Sequence, residues 1–242
     1  MIGWKRKKAM QPEDRSRILV THLDPRSPVA EAYRTLRTNL QFAAVDRPLR
    51  RLMVTSTGPG EGKTTTIANL AVVFAQAGKR VLLIDADLRK PQLHHVFRVP
   101  NHVGLSSVLV GTSAMERAAV ATVVEGLTLL PSGPIPPNPA EMLGSQAMAR
   151  FLEEASARYE LVLIDTPPVI AVTDAQVLSR LVDGVLLVVA AGQTKREMAQ
   201  KAKALLETVQ APLLGVVLNR RKYHEEGYSY YYYYYGEEKR KA

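Results

Sequence analysis

The chain has 242 residues, 46% of them hydrophobic, and 32 Lys and Arg against 23 Asp and Glu give a formal net charge of +9. That size and apolar content suit one α/β domain with a full core, and they exclude a wholly disordered chain. With no cysteine there are no disulfides, thiolate metal sites or thiol nucleophiles, which fits a reducing compartment.

Residues 1–27 are polar and basic, with Lys5-Arg6-Lys7-Lys8 beside Trp4, and they read as an extended arm. Ser27 and Pro28 then suit the cap and first turn of a helix that carries Glu31, Tyr33, Arg34 and Arg37 and runs to Leu40. Short apolar runs follow at Leu52–Ser56, Arg80–Ile84, Leu127–Leu130, Leu161–Ile164, Val185–Ala190 and Leu213–Leu218. Helical patterns lie around 63–77, 146–158, 174–182 and 195–209. Strands of unbroken Val, Ile and Leu are buried on both faces, which predicts a mostly parallel central sheet with helices on both faces. Pro131–Pro139 reads as a loop. The longest apolar run, Val185 to Ala191, is far below the roughly 20 residues that cross a bilayer. No apolar leader segment follows the basic start, so a cytoplasmic location is expected.

From residue 223 the composition changes. Eight of the ten tyrosines lie at or after Tyr223. Tyr228, Tyr230, Tyr231, Tyr232, Tyr233, Tyr234 and Tyr235 form a low-complexity cluster with no apolar pattern to dock it. The expected division is a basic arm over 1–27, one domain over 28–222 and a disordered tyrosine-rich tail over 223–242.

Leu52–Ser56 runs into Thr57-Gly58-Pro59-Gly60-Glu61-Gly62-Lys63-Thr64-Thr65 and then a helix. Glycines let successive backbone N–H groups turn toward one point, an anion cradle at a helix N-terminus. This is the pattern of a P-loop nucleotide-binding fold. Lys63 would reach the β- and γ-phosphates, and the Thr64 hydroxyl would bind Mg²⁺. Thr57 departs from the general pattern, which has glycine there.

Two further strands end in carboxylates: one in Asp85-Ala86-Asp87-Leu88-Arg89-Lys90-Pro91, the other in Asp165-Thr166-Pro167-Pro168. Carboxylates at the C-terminal edge of a parallel sheet lie where open α/β sheets bind ligands. Mg²⁺ takes one or two carboxylates with water and phosphate, which leaves one aspartate free as a base. A tyrosine hydroxyl, with a pKa near 10, needs such a base during phosphoryl transfer. Asp85 and Asp87 are both candidates. Arg89 and Lys90 either assist phosphates or are solvated. His94, His95 and His102 have no matching set of metal ligands.

These three motifs in this order resemble the bacterial tyrosine kinases of capsule and exopolysaccharide synthesis. The motifs are similar to that family's Walker A, A′ and B, and the tyrosine-rich tail accompanies them. The resemblance spans roughly residues 27 to 235. It implies an ATP- and Mg²⁺-dependent autokinase. Lys63, Asp85, Asp87 and Asp165 would be its catalytic residues, and Thr64, Asp85, Asp87 and Asp165 its metal ligands. Gly58, Pro59, Gly60, Glu61, Gly62, Lys63, Thr64 and Thr65 would form the nucleotide loop, and Asn219 sits where related folds read adenine. The phosphoacceptors would be Tyr228, Tyr230, Tyr231, Tyr232, Tyr233, Tyr234 and Tyr235. Glu31-x-x-Arg34-x-x-Arg37 matches the family's oligomerisation motif, which implies a ring in which one subunit's tail enters the next subunit's site. The implied partners are a membrane polysaccharide co-polymerase that activates and recruits the kinase, and a phosphotyrosine phosphatase. Nucleic acid is not expected, because no recognition motif accompanies the positive charge. The main rival is a partitioning-type ATPase, whose loop carries an extra lysine where Gly58 stands and which has no use for a tyrosine tail.

Overall fold

The computed structural model describes residues 19–43 and 48–221. The basic cluster at Lys5–Lys8 lies outside the described residues. So do all the expected phosphoacceptors: Tyr228, Tyr230, Tyr231, Tyr232, Tyr233, Tyr234 and Tyr235, with Tyr223 before them. In chain order the elements are α1 (Val20–Leu23), α2 (Pro28–Ala43), β1 (Arg51–Ser56), α3 (Lys63–Gln76), β2 (Val81–Asp85), α4 (Leu93–Phe97), α5 (Leu105–Leu109) and α6 (Met115–Ala118). Then come β3 (Val120–Ala121), β4 (Leu127–Leu130), α7 (Pro139–Leu143), α8 (Gln146–Arg158), β5 (Leu161–Asp165), α9 (Asp174–Leu178), β6 (Gly184–Ala190), α10 (Arg196–Thr208) and β7 (Leu213–Asn219).

The strands form one sheet in the order β3-β4-β2-β5-β1-β6-β7. Every pairing is parallel except that of the two-residue β3 with β4. Successive side chains of a strand point to opposite faces, and the core divides accordingly. Leu82, Ile84, Val162, Ile164, Val185 and Leu187 pack with Phe151 and Leu152 of α8 and Leu206 of α10. Val81, Leu83, Leu161, Leu163, Leu186 and Val188 pack with Ile67, Leu70 and Val73 of α3 and Leu40 of α2. Helices therefore cover both faces, and the buried strands read as unbroken apolar runs for that reason.

Ser27 caps α2 as its sequence predicts: its Oγ accepts the Ala30 N–H at 3.2 Å and donates to the Asp24 carbonyl at 2.8 Å. Helix α3 is buried from Thr66 through Ala75 because it lies between the sheet and α2. Two expectations change. The extended reading of residues 1–27 ends at Leu19, which joins the core, and α1 follows it directly. Thr21 is fully buried and bonds Asn69 of α3 through its N–H at 3.0 Å and its hydroxyl at 2.9 Å. The helical pattern over 174–182 breaks after Leu178 into a 3₁₀ turn, Ser179–Leu181, where the Ser179 hydroxyl donates to the Gln176 carbonyl at 2.7 Å. The loop from Pro131 ends at Pro139, which opens α7 as a first-turn proline.

Candidate active site

Strands β2, β5 and β1 are neighbours, and all three predicted motifs leave their C-terminal ends on one edge of the sheet. Asp85 and Asp165 are register partners on β2 and β5. The glycine-rich loop closes the edge from β1. Gly60 and Gly62 have φ of +77° and +95°, conformations that favour glycine, and a Cβ on Gly62 would stand 2.1 Å from Asn219 Nδ2.

Lys63 opens α3 and reaches across this edge. Its Nζ lies 2.8 Å from Asp87 Oδ2, 3.6 Å from Asp165 Oδ1 and 3.3 Å from Thr64 Oγ1. The Thr64 hydroxyl donates to Asp165 Oδ2 at 2.6 Å. Burial alone would lower the Lys63 pKa, but the carboxylates of Asp165 and Asp87 outweigh it and hold the pKa raised. The Asp165 carboxyl is pushed up by burial, against the opposing pull of Lys63 and Thr64.

The two aspartates after β2 differ in their surroundings. Asp85 is fully buried and accepts three backbone N–H groups, from Asp87 at 3.3 Å, Gln92 at 3.0 Å and Leu93 at 2.9 Å. It shapes the turn into α4. Burial and the charge of Asp165 nevertheless raise its pKa to about 7. Asp87 accepts the Lys90 N–H at 3.0 Å with one oxygen and holds Lys63 with the other. Arg89 is not simply solvated: it grips the fully buried Asp174 with two bonds of 2.9 Å, which join the loop after β2 to α9. Sequence reasoning missed that brace, since nothing local marks a partner so distant in the chain.

The site carries more negative than positive charge, and Asp165 Oδ1 is buried with no hydrogen-bond partner. Beside a threonine hydroxyl, such an oxygen fits a hard cation such as Mg²⁺. Among the described residues no three His, Cys, Asp or Glu side chains converge to hold a metal. The carboxylates would therefore supply part of a coordination shell, with phosphate and water completing it.

Glu61 points away from this cluster. Its carboxylate accepts the Thr57 N–H at 2.8 Å and the hydroxyl of Thr194, and its carbonyl accepts from Asn219 Nδ2 at 2.8 Å. Thr57, where glycine was expected, does not have a positive φ, so its backbone does not require glycine. Asn219 Oδ1 accepts the Arg220 N–H at 2.8 Å. No sequence motif marks Thr194. Glu31, Arg34 and Arg37 lie on α2, apart from the site. Glu31 and Arg34 pair at 2.7 Å, and Arg37 donates to the Val73 carbonyl of α3 at 2.9 Å. A cavity of about 470 Å³, lined by Arg50, Lys79, Arg80 and Glu160 among others, lies at the opposite end of the strands and touches none of the motifs.

A strand–loop–helix cradle with two carboxylate-ended strands beside it defines a P-loop nucleotide-binding protein, and residues 50–212 match the AAA domain family. The chain is 52% identical over 215 residues to the tyrosine-protein kinase YwqD of Bacillus subtilis, covering 88% of this chain and 91% of that protein. It superposes on the chimerical protein CapA2B2 with a TM-score of 0.82 at 44% identity, covering 85% of this chain and 90% of that one. The kinase domain of the Escherichia coli tyrosine kinase ETK gives a TM-score of 0.80 at 34% identity, over 91% of this chain and 86% of that one. More distantly, the cobyrinic acid a,c-diamide synthase of Mycobacterium smegmatis, solved with ADP and magnesium, gives 0.58 at 26% identity, over 69% of this chain and 71% of that one. The chain belongs to the bacterial tyrosine-protein kinases. No helix among the described residues is long and apolar enough to cross a membrane.

Proposed function

We propose that this kinase uses Mg²⁺ and ATP to phosphorylate the tyrosine cluster of its own C-terminal tail in trans between subunits. The acceptors are Tyr228, Tyr230, Tyr231, Tyr232, Tyr233, Tyr234 and Tyr235. The observation that carries the reading is the convergence of Lys63, Thr64, Asp87 and Asp165 on one sheet edge. The phosphate-loop N–H groups and Lys63 bind the β- and γ-phosphates, and Lys63 leaves Asp87 to do so. Thr64 and Asp165 would hold Mg²⁺, whose charge would offset that of the phosphates. The new bond forms between the tyrosine oxygen and the γ-phosphorus while the β–γ bridging bond breaks, and ADP leaves. The phenolic proton passes to a carboxylate. Asp87 suits that role better than Asp85, whose oxygens are taken by three backbone N–H groups. Asn219 lies beside the loop and borders the adenine.

The 223–242 tail offers several hydroxyls at high effective concentration. Each phosphate adds about −1.5 to −2 charge, so a phosphorylated tail is repelled from the acidic site and loosens the assembly. The helix face bearing Glu31, Arg34 and Arg37 forms the subunit contact of a ring. A membrane polysaccharide co-polymerase recruits and activates the kinase at the inner face of the membrane, a phosphotyrosine phosphatase reverses it, and the cycle regulates capsule or exopolysaccharide polymerisation. These partners rest on the family resemblance.

Mixing two variants tests transfer between chains. A chain ended after Lys222 keeps its site but has no tail, and a Lys63→Met chain keeps its tail. With Mg-ATP, the tail of the Lys63→Met chain should gain phosphate. If it stays unmodified while the wild type phosphorylates itself, transfer occurs within one chain.

A further inference from the structure

The phosphate loop has a second set of contacts on the side away from Lys63. Glu61 is only 8% exposed, and no cation pairs with its carboxylate among the described residues. A buried carboxylate without a counter-charge is costly unless hydrogen bonds satisfy it. Here Oε2 takes the Thr57 N–H at 2.8 Å and Oε1 takes the Thr194 hydroxyl. Thr194 lies in the turn between β6 and α10, 133 positions further along the chain. Its hydroxyl oxygen also accepts the Ala190 N–H, at the end of β6, at 3.0 Å. Asn219, at the end of β7, holds the Glu61 carbonyl at 2.8 Å. The loop is thus tied at both the main chain and the side chain of one residue to the ends of two strands that carry none of the phosphate-binding motifs.

We infer that Thr194 is a positioning residue for the phosphate loop, acting through Glu61, and that this clamp sets the affinity for the nucleotide. Such a role presupposes that the loop binds ATP. A loop that must aim several N–H groups at one anion loses affinity when it wanders, because ordering it again then opposes binding. A hydroxyl has one hydrogen and two lone pairs, and Thr194 uses the hydrogen on Glu61 and a lone pair on Ala190. Valine has nearly the same shape but takes the hydroxyl from Glu61 Oε1 and the acceptor from the Ala190 N–H, while Oε2 keeps the Thr57 N–H. Serine keeps the hydroxyl. Among the described residues no hydrogen bond joins Thr194 to Lys63, Thr64, Asp87 or Asp165, so its loss should act on binding far more than on chemistry.

The experiment titrates full-length protein with a fluorescent ATP analogue and Mg²⁺, which reads affinity without requiring kinase activity. Thr194→Val should weaken binding about ten-fold or more, as the loss of a hydrogen bond to a buried charge predicts. Thr194→Ser should stay within about three-fold of wild type. Glu61→Ala should weaken binding too, and adding Thr194→Val to it should change little, since two residues acting through one contact are not additive. In turnover, Thr194→Val should raise KM for ATP while kcat falls much less. Wild-type affinity in Thr194→Val, a serine variant as weak as the valine one, or full additivity with Glu61→Ala would each overturn the inference while leaving ATP binding intact. A wild-type protein that binds no nucleotide would overturn both.

Discussion

Asp85 and Asp87 stand two positions apart at the end of β2, and sequence could not rank them. Their neighbours support Asp87 as the proposed base. Three backbone N–H groups close around Asp85, while Asp87 keeps one oxygen on Lys63. Asp87→Asn should therefore lose phosphotransfer by about a hundred-fold or more, the usual worth of a general base, while still binding ATP. Equal loss of transfer and of ATP binding would make Asp87 a binding residue instead. Asp85 carries a pH signature. Its pKa rises from 3.8 in the open chain to about 7 in the fold, so the folded state holds the proton more tightly. Its contribution to stability is full below about pH 4 and is lost as pH rises through about 7. In nucleotide-free, metal-free protein, the stability of wild type minus that of Asp85→Asn should fall across that window. A flat difference in urea midpoints would contradict the shift. At this scale the motif residues were legible because phosphate chemistry fixes their type and spacing. Thr194 and the Arg89–Asp174 brace were not, because each works through a partner far along the chain that leaves no local pattern.

Six of the seven strands were legible as apolar runs, down to the four-residue β4, whereas among the helices it is the long ones that were. Helix α2 begins where Ser27 and Pro28 predict, and α8 matches its periodic stretch. Helices α4 to α7 have four or five residues each, too short to show a 3.6-residue period, and β3 has two. Residues 19–23 were misread for a different reason. The stretch 1–27 as a whole reads as polar and basic, which masked the mostly apolar Leu19-Val20-Thr21-His22-Leu23 within it, and Thr21 is buried because Asn69 of α3 accepts from both its N–H and its hydroxyl. Asn69 in turn donates to the Thr65 carbonyl at 2.9 Å, within the first turn of the phosphate-loop helix. Thr21→Val should lower the unfolding free energy by about 1–3 kcal/mol, the cost of leaving a buried polar group short of a partner. Chemical denaturation measures it. An unchanged midpoint would mean that the N-terminal turn is not part of the cooperative core.

Over the whole molecule, the sheet order places β7 on the same sheet as the site, two strands from β1. The described chain leaves β7 at its C-terminal end, on the edge that holds Lys63, Asp87 and Asp165, and the tyrosine cluster begins at Tyr228. Two strand spacings are about 10 Å, so the last described residues lie close to this edge on the scale of the domain. The mixing experiment separates transfer to a chain's own tail from the proposed transfer to a neighbour's. The core clusters draw on residues between Leu19 and Val217, so a chain ended after Lys222 should fold as wild type does.

Self-phosphorylation of the tail is decided by the intact mass of the expressed protein before and after Mg-ATP, beside Lys63→Met and the chain ended after Lys222. Wild type should show a ladder of added phosphates that is absent from both variants. A tail-truncated chain that gained the same ladder would place the acceptors elsewhere. Steady ATP hydrolysis with no added phosphate, in the presence of the proposed membrane activator, would contradict the autokinase reading and favour a nucleotide-driven switch ATPase.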